Sequence, residues 1–374
     1  MFRFIHSSDL HLGRRFGNMA EDLRGRLREA RHTALGRLAA AAREHDAGVI
    51  LLAGDTFDTE TPSPEIRRQA LAEMANHAPL RWVLLPGNHD SLQASQLWNS
   101  LKADVPDNVI LATEAAPIIL APETMLLPAP CTTRRPGRDL TEWVDHAPTP
   151  DRNIRICLAH GGILDFSEEG DASDIIAPDR AKRSGLDYLA LGDWHGTMAV
   201  DARTHYSGTP EPDRFKHNAP GQALMVQIAE AGAEPQVLPV KTGSFAWTTL
   251  GLHLLSDDDP AAMLLEALPA GPLRRQTLLR IEAAGRTRPE RRAALAAAID
   301  HASPEFAHLE LRDSGLDTDC EVDDLDAIDR GGALRIAADA LFAESHDAIL
   351  SGADREIARE ALMRLFTYSQ KIAS

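Results

Sequence analysis

Five apolar segments between residues 1 and 196 are each followed by a short polar motif that carries Asp, Asn or His. Uninterrupted apolar segments of this kind are typical of strands in a mostly parallel sheet with both faces buried. Ligands of such sheets bind at the carboxyl ends of the strands, so we expect the motifs to converge although they are distant in sequence. The motifs are Asp9-Leu10-His11, Gly54-Asp55, Gly87-Asn88-His89-Asp90, His160-Gly161 and Gly192-Asp193-Trp194-His195.

The alternation of strands and helices predicts an α/β fold in which two sheets form a sandwich flanked by helices. We assign residues 1–243 to this domain, which holds all five motifs. A compact βαβαβ pattern over residues 244–312 predicts a smaller α+β domain. Residues 313–330 are rich in acids and predict a solvated linker, because like charges oppose compact structure. Residues 331–374 predict two amphipathic C-terminal helices.

Composition limits the classes of protein that fit. The net charge of −17 argues against binding nucleic acid by overall charge, although residues 1–45 hold nine Arg against five acids. The cysteines Cys131, Cys157 and Cys320 have no paired spacing, so neither a disulfide framework nor a thiolate metal site is expected. No apolar segment is long enough to span a membrane, and a strand begins at residue 2, where a signal peptide would lie. We therefore expect a cytoplasmic protein.

The residue types in the five motifs suit a dinuclear metal site. Asp9 and His11 are two positions apart, and in an extended strand their side chains would point to the same side. Asp55 has two carboxylate oxygens and can bridge two cations, while Asn88 adds a neutral oxygen donor. We assign one ion to Asp9, His11, Asp55 and His195, and the other ion to Asp55, Asn88, His160 and Asp193.

Nitrogen and oxygen donors without sulfur suit Mn²⁺, Fe²⁺ or Zn²⁺. Of the candidate metals, which include Mg²⁺, we expect Mn²⁺. Two such ions about 3.5–4 Å apart stabilise the attacking and leaving oxygens of an in-line displacement, which predicts phosphoester hydrolysis. His89 has no place in either ligand set, so we assign it to catalysis, where it would orient the phosphate or protonate the leaving oxygen. Taken singly, such residues are more often hydrogen-bonded strand-end histidines or helix N-caps. Their joint order favours the metal site.

The motifs resemble those of the calcineurin-like metallophosphoesterase superfamily; in this chain they read D-x-H, G-D-x-x-D, G-N-H-D, H-G and G-x-x-H. Within that superfamily, residues 4–13 and 206–211 resemble the DNA repair exonuclease branch, the SbcD-type nucleases. The resemblance implies a metal-dependent DNA phosphodiesterase, an exonuclease subunit that works with a coiled-coil ATPase. It also implies a homodimer, a DNA-capping role for residues 244–312 and docking of the terminal helices on the ATPase.

One position departs from the family pattern. The family has G-H-x-H where this chain has Gly192-Asp193-Trp194-His195. The carboxylate of Asp193 therefore replaces an imidazole, and it favours Mn²⁺ or Mg²⁺ over Zn²⁺ at that position. A DNA substrate would make four basic residues candidates for backbone contacts, although solvated loop positions explain them equally. These residues are Arg14, Arg15, Arg214 and Lys216.

Two other functions stay open. A small-nucleotide phosphodiesterase or phosphatase would use the same chemistry, but it would not require the residues that follow the first domain. A DNA-end-binding regulatory protein with weak catalysis would be consistent with the altered ligand Asp193.

Overall fold

The computed structural model describes residues 1–163, 176–216, 220–318, 322–329 and 331–373. Within this range the chain forms two compact units, Met1–Trp247 and Thr248–Ser374. Cys320 and the middle of the expected acidic linker lie outside the described residues.

The first unit alternates strands and helices along the chain, as expected for βαβ units. Its strands are β1 (Phe2–Ser7), β2 (Val49–Leu52), β3 (Arg81–Leu84), β4 (Val109–Leu111), β5 (Ile118–Ala121), β6 (Thr124–Ala129), β7 (Ile154–His160), β8 (Tyr188–Gly192), β9 (Met198–Ala199), β10 (Thr204–Tyr206), β11 (Gln222–Ile228) and β12 (Gln236–Lys241). Its α-helices are α1 (Glu21–Glu44), α2 (Pro64–Asn76), α3 (Ser95–Asp104) and α4 (Arg180–Arg183), and Glu142–His146 forms a 3₁₀ turn.

These strands form two six-stranded sheets. In the first sheet, with strand order β12-β11-β1-β2-β3-β4, strands β1 to β4 are parallel and β11 and β12 are antiparallel. The second sheet has the order β5-β6-β7-β8-β10-β9, with a parallel centre and antiparallel edges. Side chains of both sheets share one apolar core, in which Leu51 and Val83 of the first sheet lie with Ile156 and Tyr188 of the second. The architecture is therefore a two-sheet sandwich.

Helices cover the outer face of the first sheet. Helix α1 buries an apolar stripe that recurs every three or four positions and includes Leu27, Leu35 and Leu38. Helix α2 begins at Pro64, and the hydroxyl of Ser63 accepts a hydrogen bond from the main-chain N–H of Ile66 at its amino end. Because the helices cover that face, the accessible polar groups of the sheet lie in the loops at the strand ends.

The loops after β1, β2 and β8 turn abruptly. Asp9, His11, Asp55 and Asp193 have φ values of 54°, 44°, 53° and 99°, which lie in the left-handed region. The expectation that Asp9 and His11 share an extended strand is therefore wrong. Left-handed residues are rare for non-glycine types and concentrate at functional sites, where surrounding contacts hold them. Here the main-chain N–H groups of Asp9 and His11 donate to the carbonyl oxygens of Gly54 and Asp55, and these bonds tie the first loop to the second.

The second unit contains a three-stranded sheet of β13 (Ala246–Leu254, which begins at the end of the first unit), β14 (Thr277–Thr287) and β15 (His308–Thr318), with β14 at the centre. Helices α5 (Pro260–Ala267), α6 (Gly271–Arg274) and α7 (Pro289–Ala302) connect the strands. Strand β15 continues to Thr318, although a linker was expected from residue 313. The reason is that β15 pairs in parallel with β14 along its length and Arg292 neutralises Asp313 at 2.7 Å.

The terminal helices α8 (Ala333–His346) and α9 (Gly352–Ala373) pack on each other. Their shared core includes Ala338 and Phe366, and Ala293 of α7 packs against it. Other apolar side chains of the two helices stay exposed: Ile336 at 73%, Ile357 at 66% and Tyr368 at 63%. Among the described residues, no helix is both long and apolar enough to cross a membrane.

Candidate metal centre

The strand-end loops of the first unit bring the predicted metal ligands together. Asp9 and His11 follow β1, Asp55 follows β2, His160 ends β7 and His195 follows β8. Ligand atoms within 4.8 Å of one another form three overlapping groups, Asp9 with His11 and His195, His11 with Asp55 and His89, and Asp9 with Asp55 and His160. Because neighbouring groups share residues, they describe one polar centre.

Asp55 lies between two sets of donors. Its Oδ2 is 3.6 Å from Nε2 of His11 and 3.6 Å from Nε2 of His160. On the side of Asp55 that faces His11, Oδ1 of Asp9 is 4.0 Å from Nε2 of His11 and 3.9 Å from Nε2 of His195. This arrangement is what a bridging carboxylate requires, because one oxygen or both can face two cations.

Several buried donor atoms in the centre lack a hydrogen-bond partner. Nε2 of His160 and Oδ1 of Asn88 are buried and unpaired among the described residues. Nδ1–H of His160 donates to the carbonyl oxygen of Ala53 at 2.8 Å, which leaves the Nε2 lone pair directed away from the main chain. A buried acceptor without a partner costs about 1–3 kcal/mol, and a bound cation would remove that cost. The donor set therefore fits divalent cations.

The pKa shifts within the centre also indicate that a cation would stabilise it. Burial opposes protonation of His160, but the carboxylates of Asp55, Asp9 and Asp193 outweigh it and raise the pKa of His160 to about 9. Burial raises the pKa of Asp55 well above its ordinary value, and the charges of Asp90 and Asp9 add to that shift. A site in which the carboxylate of Asp55 resists ionisation and the imidazole of His160 is drawn toward protonation lacks cationic charge.

Asp193 occupies the side of the centre predicted for the second ion. Its Oδ1 is 3.8 Å from Nε2 of His160 and accepts a hydrogen bond from Nδ2 of Asn88 at 3.2 Å. Its main-chain N–H lies 3.1 Å and 3.3 Å from the two carboxylate oxygens of Asp9. The carboxylate thus lies beside two of the predicted partners of its ion, and its role as a ligand stays a prediction.

His89 lies beside the metal ligands, as expected for a residue of the same motif as Asn88. Its main-chain N–H donates to Oδ1 of Asp55 at 2.9 Å, and its ring meets the ring of His11 edge-on at 4.9 Å. Nδ1–H donates to the carbonyl oxygen of Asp58 at 3.2 Å. Burial lowers the pKa of His89, so the ring is neutral at pH 7. Both the predicted catalytic role and a role as a ligand fit these contacts.

Three buried residues that support the centre were not predicted. Asp213 accepts a hydrogen bond from Nδ1 of His195 at 3.1 Å, and Arg31 lies 3.6 Å from its other oxygen. The carboxylate of Asp90 accepts N–H groups of Gly87 at 2.7 Å and Phe57 at 3.0 Å, which shapes the Gly87–Asp90 turn. Asp90 could have been inferred from its motif. Asp213 carries no local signal, because its contacts link distant segments, whereas Arg31 interrupts the apolar stripe of α1.

The candidate DNA-contact residues divide into two groups. Arg14 lies 3.5 Å from Asp58 and 3.1 Å from Asp213, and Arg214 lies 3.3 Å from the ring nitrogens of His195. Nζ of Lys216 lies over the ring of Trp194 at 5.3 Å. These three residues border the centre, whereas Arg15 is an exposed residue of the loop after β1. Contact with DNA stays a prediction for all four.

The sequence profile of the family described as calcineurin-like phosphoesterase matches residues 2–221, more than half of the chain. The chain belongs to the calcineurin-like phosphoesterase family. The match confirms the predicted superfamily, and the two sheets with flanking helices confirm the predicted fold class. The family uses divalent metals, and the matched region contains every residue of the centre, including Asp213.

Curated relatives of this phosphoesterase match at modest identity. The SbcD component of the nuclease SbcCD from Escherichia coli strain K12 is 32% identical over 136 residues, which are 34% of this chain and 32% of that protein. An uncharacterized metallophosphoesterase of Bacillus subtilis strain 168, YhaO, is 28% identical over 238 residues, or 60% and 57% of the two chains. The SbcD component of Rhodobacter capsulatus is 35% identical over 96 residues, or 24% and 22%. The matched segments thus span less than two thirds of each relative, and they support the resemblance to the nuclease branch.

Proposed function

We propose that this protein is a dinuclear metal-dependent phosphodiesterase that acts on DNA, as an exonuclease subunit working with a coiled-coil ATPase. The observation that carries the chemistry is the position of Asp55, whose carboxylate lies 3.6 Å from donor nitrogens on both sides. What supports DNA as the substrate is that two of the relatives are named as parts of a nuclease.

The residues of the chain have separable tasks in this proposal. Two divalent cations, which we expect to be Mn²⁺, would stabilise the attacking and leaving oxygens of an in-line displacement at phosphorus. His160 and Asp55 hold their donor atoms in place through main-chain contacts with Ala53 and His89. Arg14 and Arg214 are partly exposed beside the centre, where guanidinium groups attract the negative charge of a phosphodiester.

His89 is proposed as the group that acts on the leaving oxygen. Donation from Nδ1 to the carbonyl of Asp58 fixes the tautomer, so Nε2 is the atom available to carry or accept a proton. The lowered pKa of the ring, caused mainly by burial, keeps it neutral at rest. Because its pKa is low, the ring would be a strong proton donor once it is protonated.

The partner proposal concerns the second unit. The names of two relatives place them in a complex called SbcCD. The exposed apolar side chains of α8 and α9, among them Ile336 and Ile357, offer a surface on which an ATPase helix pair would bury apolar area. We also propose a homodimer and a capping role for the α+β domain, both from the resemblance to the nuclease branch.

The test is hydrolysis by purified protein with Mn²⁺ of bis(p-nitrophenyl) phosphate, linear DNA and cyclic nucleotides. We expect Asp55→Asn and His160→Ala to lower activity by more than about 100-fold, since the first removes the charge of the proposed bridging carboxylate and the second removes a donor to one ion. The matched control is Asp187→Asn, which removes a buried carboxylate at the opposite end of β8. Full activity in both variants, or activity that survives exhaustive chelation, would refute the metal mechanism. Turnover of cyclic nucleotides without digestion of DNA would refute the DNA proposal alone.

A further inference from the structure

The contacts of His195 single out a carboxylate that lies outside the five motifs. Nδ1 of His195 is 3.1 Å from Oδ1 of Asp213, while its Nε2 lies 3.3 Å from Nε2 of His11 and 3.9 Å from Asp9. A carboxylate can only accept at that position, so Nδ1 carries the proton. The Nε2 lone pair is then the one left for the centre.

Asp213 is itself held from the side opposite His195. Its Oδ2 lies 3.1 Å from Nη1 of Arg14 and 3.6 Å from Nη2 of Arg31, and its side chain is almost fully buried. Arg31 is buried as well, and its guanidinium also donates to the carbonyl oxygens of Asp9, Leu10 and Glu211. The carboxylate is thereby fixed to the same loop that carries Asp9 and His11.

We propose that Asp213 is a positioning residue that orients His195 as a ligand of the cation bound beside Asp9 and His11. The alternative is that Asp213 serves the fold alone, as the counter-ion of Arg31. The geometry favours the positioning role, because Oδ1 of Asp213 lies 3.1 Å from Nδ1 of His195, whereas Arg31 contacts the other oxygen. Oδ1 is shared with Nε of Arg214 at 3.2 Å. A carboxylate that accepts the N–H of the ring nitrogen not bound to the metal fixes the tautomer of a ligating imidazole and increases its basicity. The inference rests on the proposed metal-dependent function.

The experiment measures Mn²⁺ binding directly, by titration calorimetry on the metal-free full chain. We expect Asp213→Ala to weaken one of two binding steps by about 10–100-fold and to leave the other within about twofold. Asp213→Asn keeps an acceptor of similar shape, so a smaller loss at the same step is expected, and this variant decides the question if the alanine variant does not fold. Asp187→Asn serves as the control, since Asp187 is equally buried but contacts Arg155, Arg203 and Gly232 instead of a ligand.

A double-mutant cycle separates positioning from simple structural support. In the His195→Ala background, Asp213→Asn should cause no further loss of Mn²⁺ affinity, because the residue acts through the missing ring. Unchanged affinity in folded Asp213→Asn and Asp213→Ala, or an equal loss with and without His195, would overturn the proposal. The measured quantity is binding, so the two proposals can fail separately. Wild-type protein that binds two Mn²⁺ but hydrolyses no phosphodiester would refute the proposed function and leave this inference unaffected.

Discussion

A histidine beneath the metal centre should make the first unit sensitive to acid. His6 is fully buried on β1, where its Nε2–H donates to the carbonyl of Leu191 and its Nδ1 accepts from the hydroxyl of Tyr188, both at 3.1 Å. Burial, reinforced by the charge of His205, lowers the pKa of His6 from 6.5 to about 3. The native state therefore holds this ring neutral across the range in which an unfolded chain would protonate it.

The effect of pH on the free energy of unfolding follows from the coupling between proton binding and unfolding. Below pH 6.5 the unfolded chain binds a proton that the folded chain excludes, so stability present above that pH is lost as pH falls toward the pKa of about 3. Each pH unit in this interval costs about 1.4 kcal/mol, so the loss from His6 alone at pH 4 is about 3 kcal/mol. His6→Gln removes the titrating group and should flatten the decline of the unfolding free energy by that amount, even if the variant is less stable at pH 7.

The measurement is urea unfolding from pH 7 to pH 4 with a chelator present, followed by tryptophan fluorescence. Four of the five tryptophans lie well within the first unit, and Trp247 lies at its end in β13, so the signal reports mainly that unit. Parallel curves of unfolding free energy against pH for wild type and His6→Gln would show that His6 does not resist protonation in the folded state. His45→Gln is a suitable control, because His45 is a partly exposed residue that caps the carboxyl end of α1.

Three further outcomes are expected. Asp193→His should shift the activity ranking among Mn²⁺, Mg²⁺ and Zn²⁺ toward Zn²⁺, because imidazole is the softer donor; an unchanged ranking would argue that Asp193 is not a ligand. His89→Ala should lower turnover by about 10²–10⁴-fold while metal analysis still finds two ions, and loss of an ion would make His89 a ligand instead. Gly192→Ala should destabilise the first unit by on the order of 3 kcal/mol in urea unfolding, since its Cβ would lie 1.9 Å from the carbonyl oxygen of Ala53. Gly25→Ala in α1, where the added Cβ meets nothing within 4 Å, should be neutral or stabilising, and equal effects would refute the steric argument.

The donor residues at the strand ends could be predicted because the apolar segment and the polar residue after it are adjacent in the sequence. An apolar segment followed at once by Asp55 or His160 identifies a buried strand and the residue that emerges from it. The order of parallel strands then brings those residues to one edge. The left-handed turns at Asp9 and His11 were not predictable, because the bonds that hold them come from the loop after β2.

Contacts between distant segments account for what the sequence did not reveal. Arg31 lies in the apolar stripe of α1, where a charged residue contradicts the helical pattern, and only the fold supplies Asp213 as its partner. The acidic residues of β15 predicted a linker, but the fold pairs this strand with β14 and places Arg292 beside Asp313. In each case, the charged residue has its counter-charge more than twenty positions away in the sequence.

The buried carboxylates of the centre also make the metal a ligand of the folded state. An unfolded chain has no preformed site, so cation binding draws the folding equilibrium toward the native protein. At a free metal concentration 100 times the dissociation constant, one site adds about 2.7 kcal/mol to stability. Burial and the charges of Asp90 and Asp9 oppose ionisation of Asp55 when no cation lies beside it, so protein starved of metal would unfold more readily and would be cleaved faster by proteases. The cellular supply of divalent metal would thereby set the amount of this protein as well as its rate of turnover.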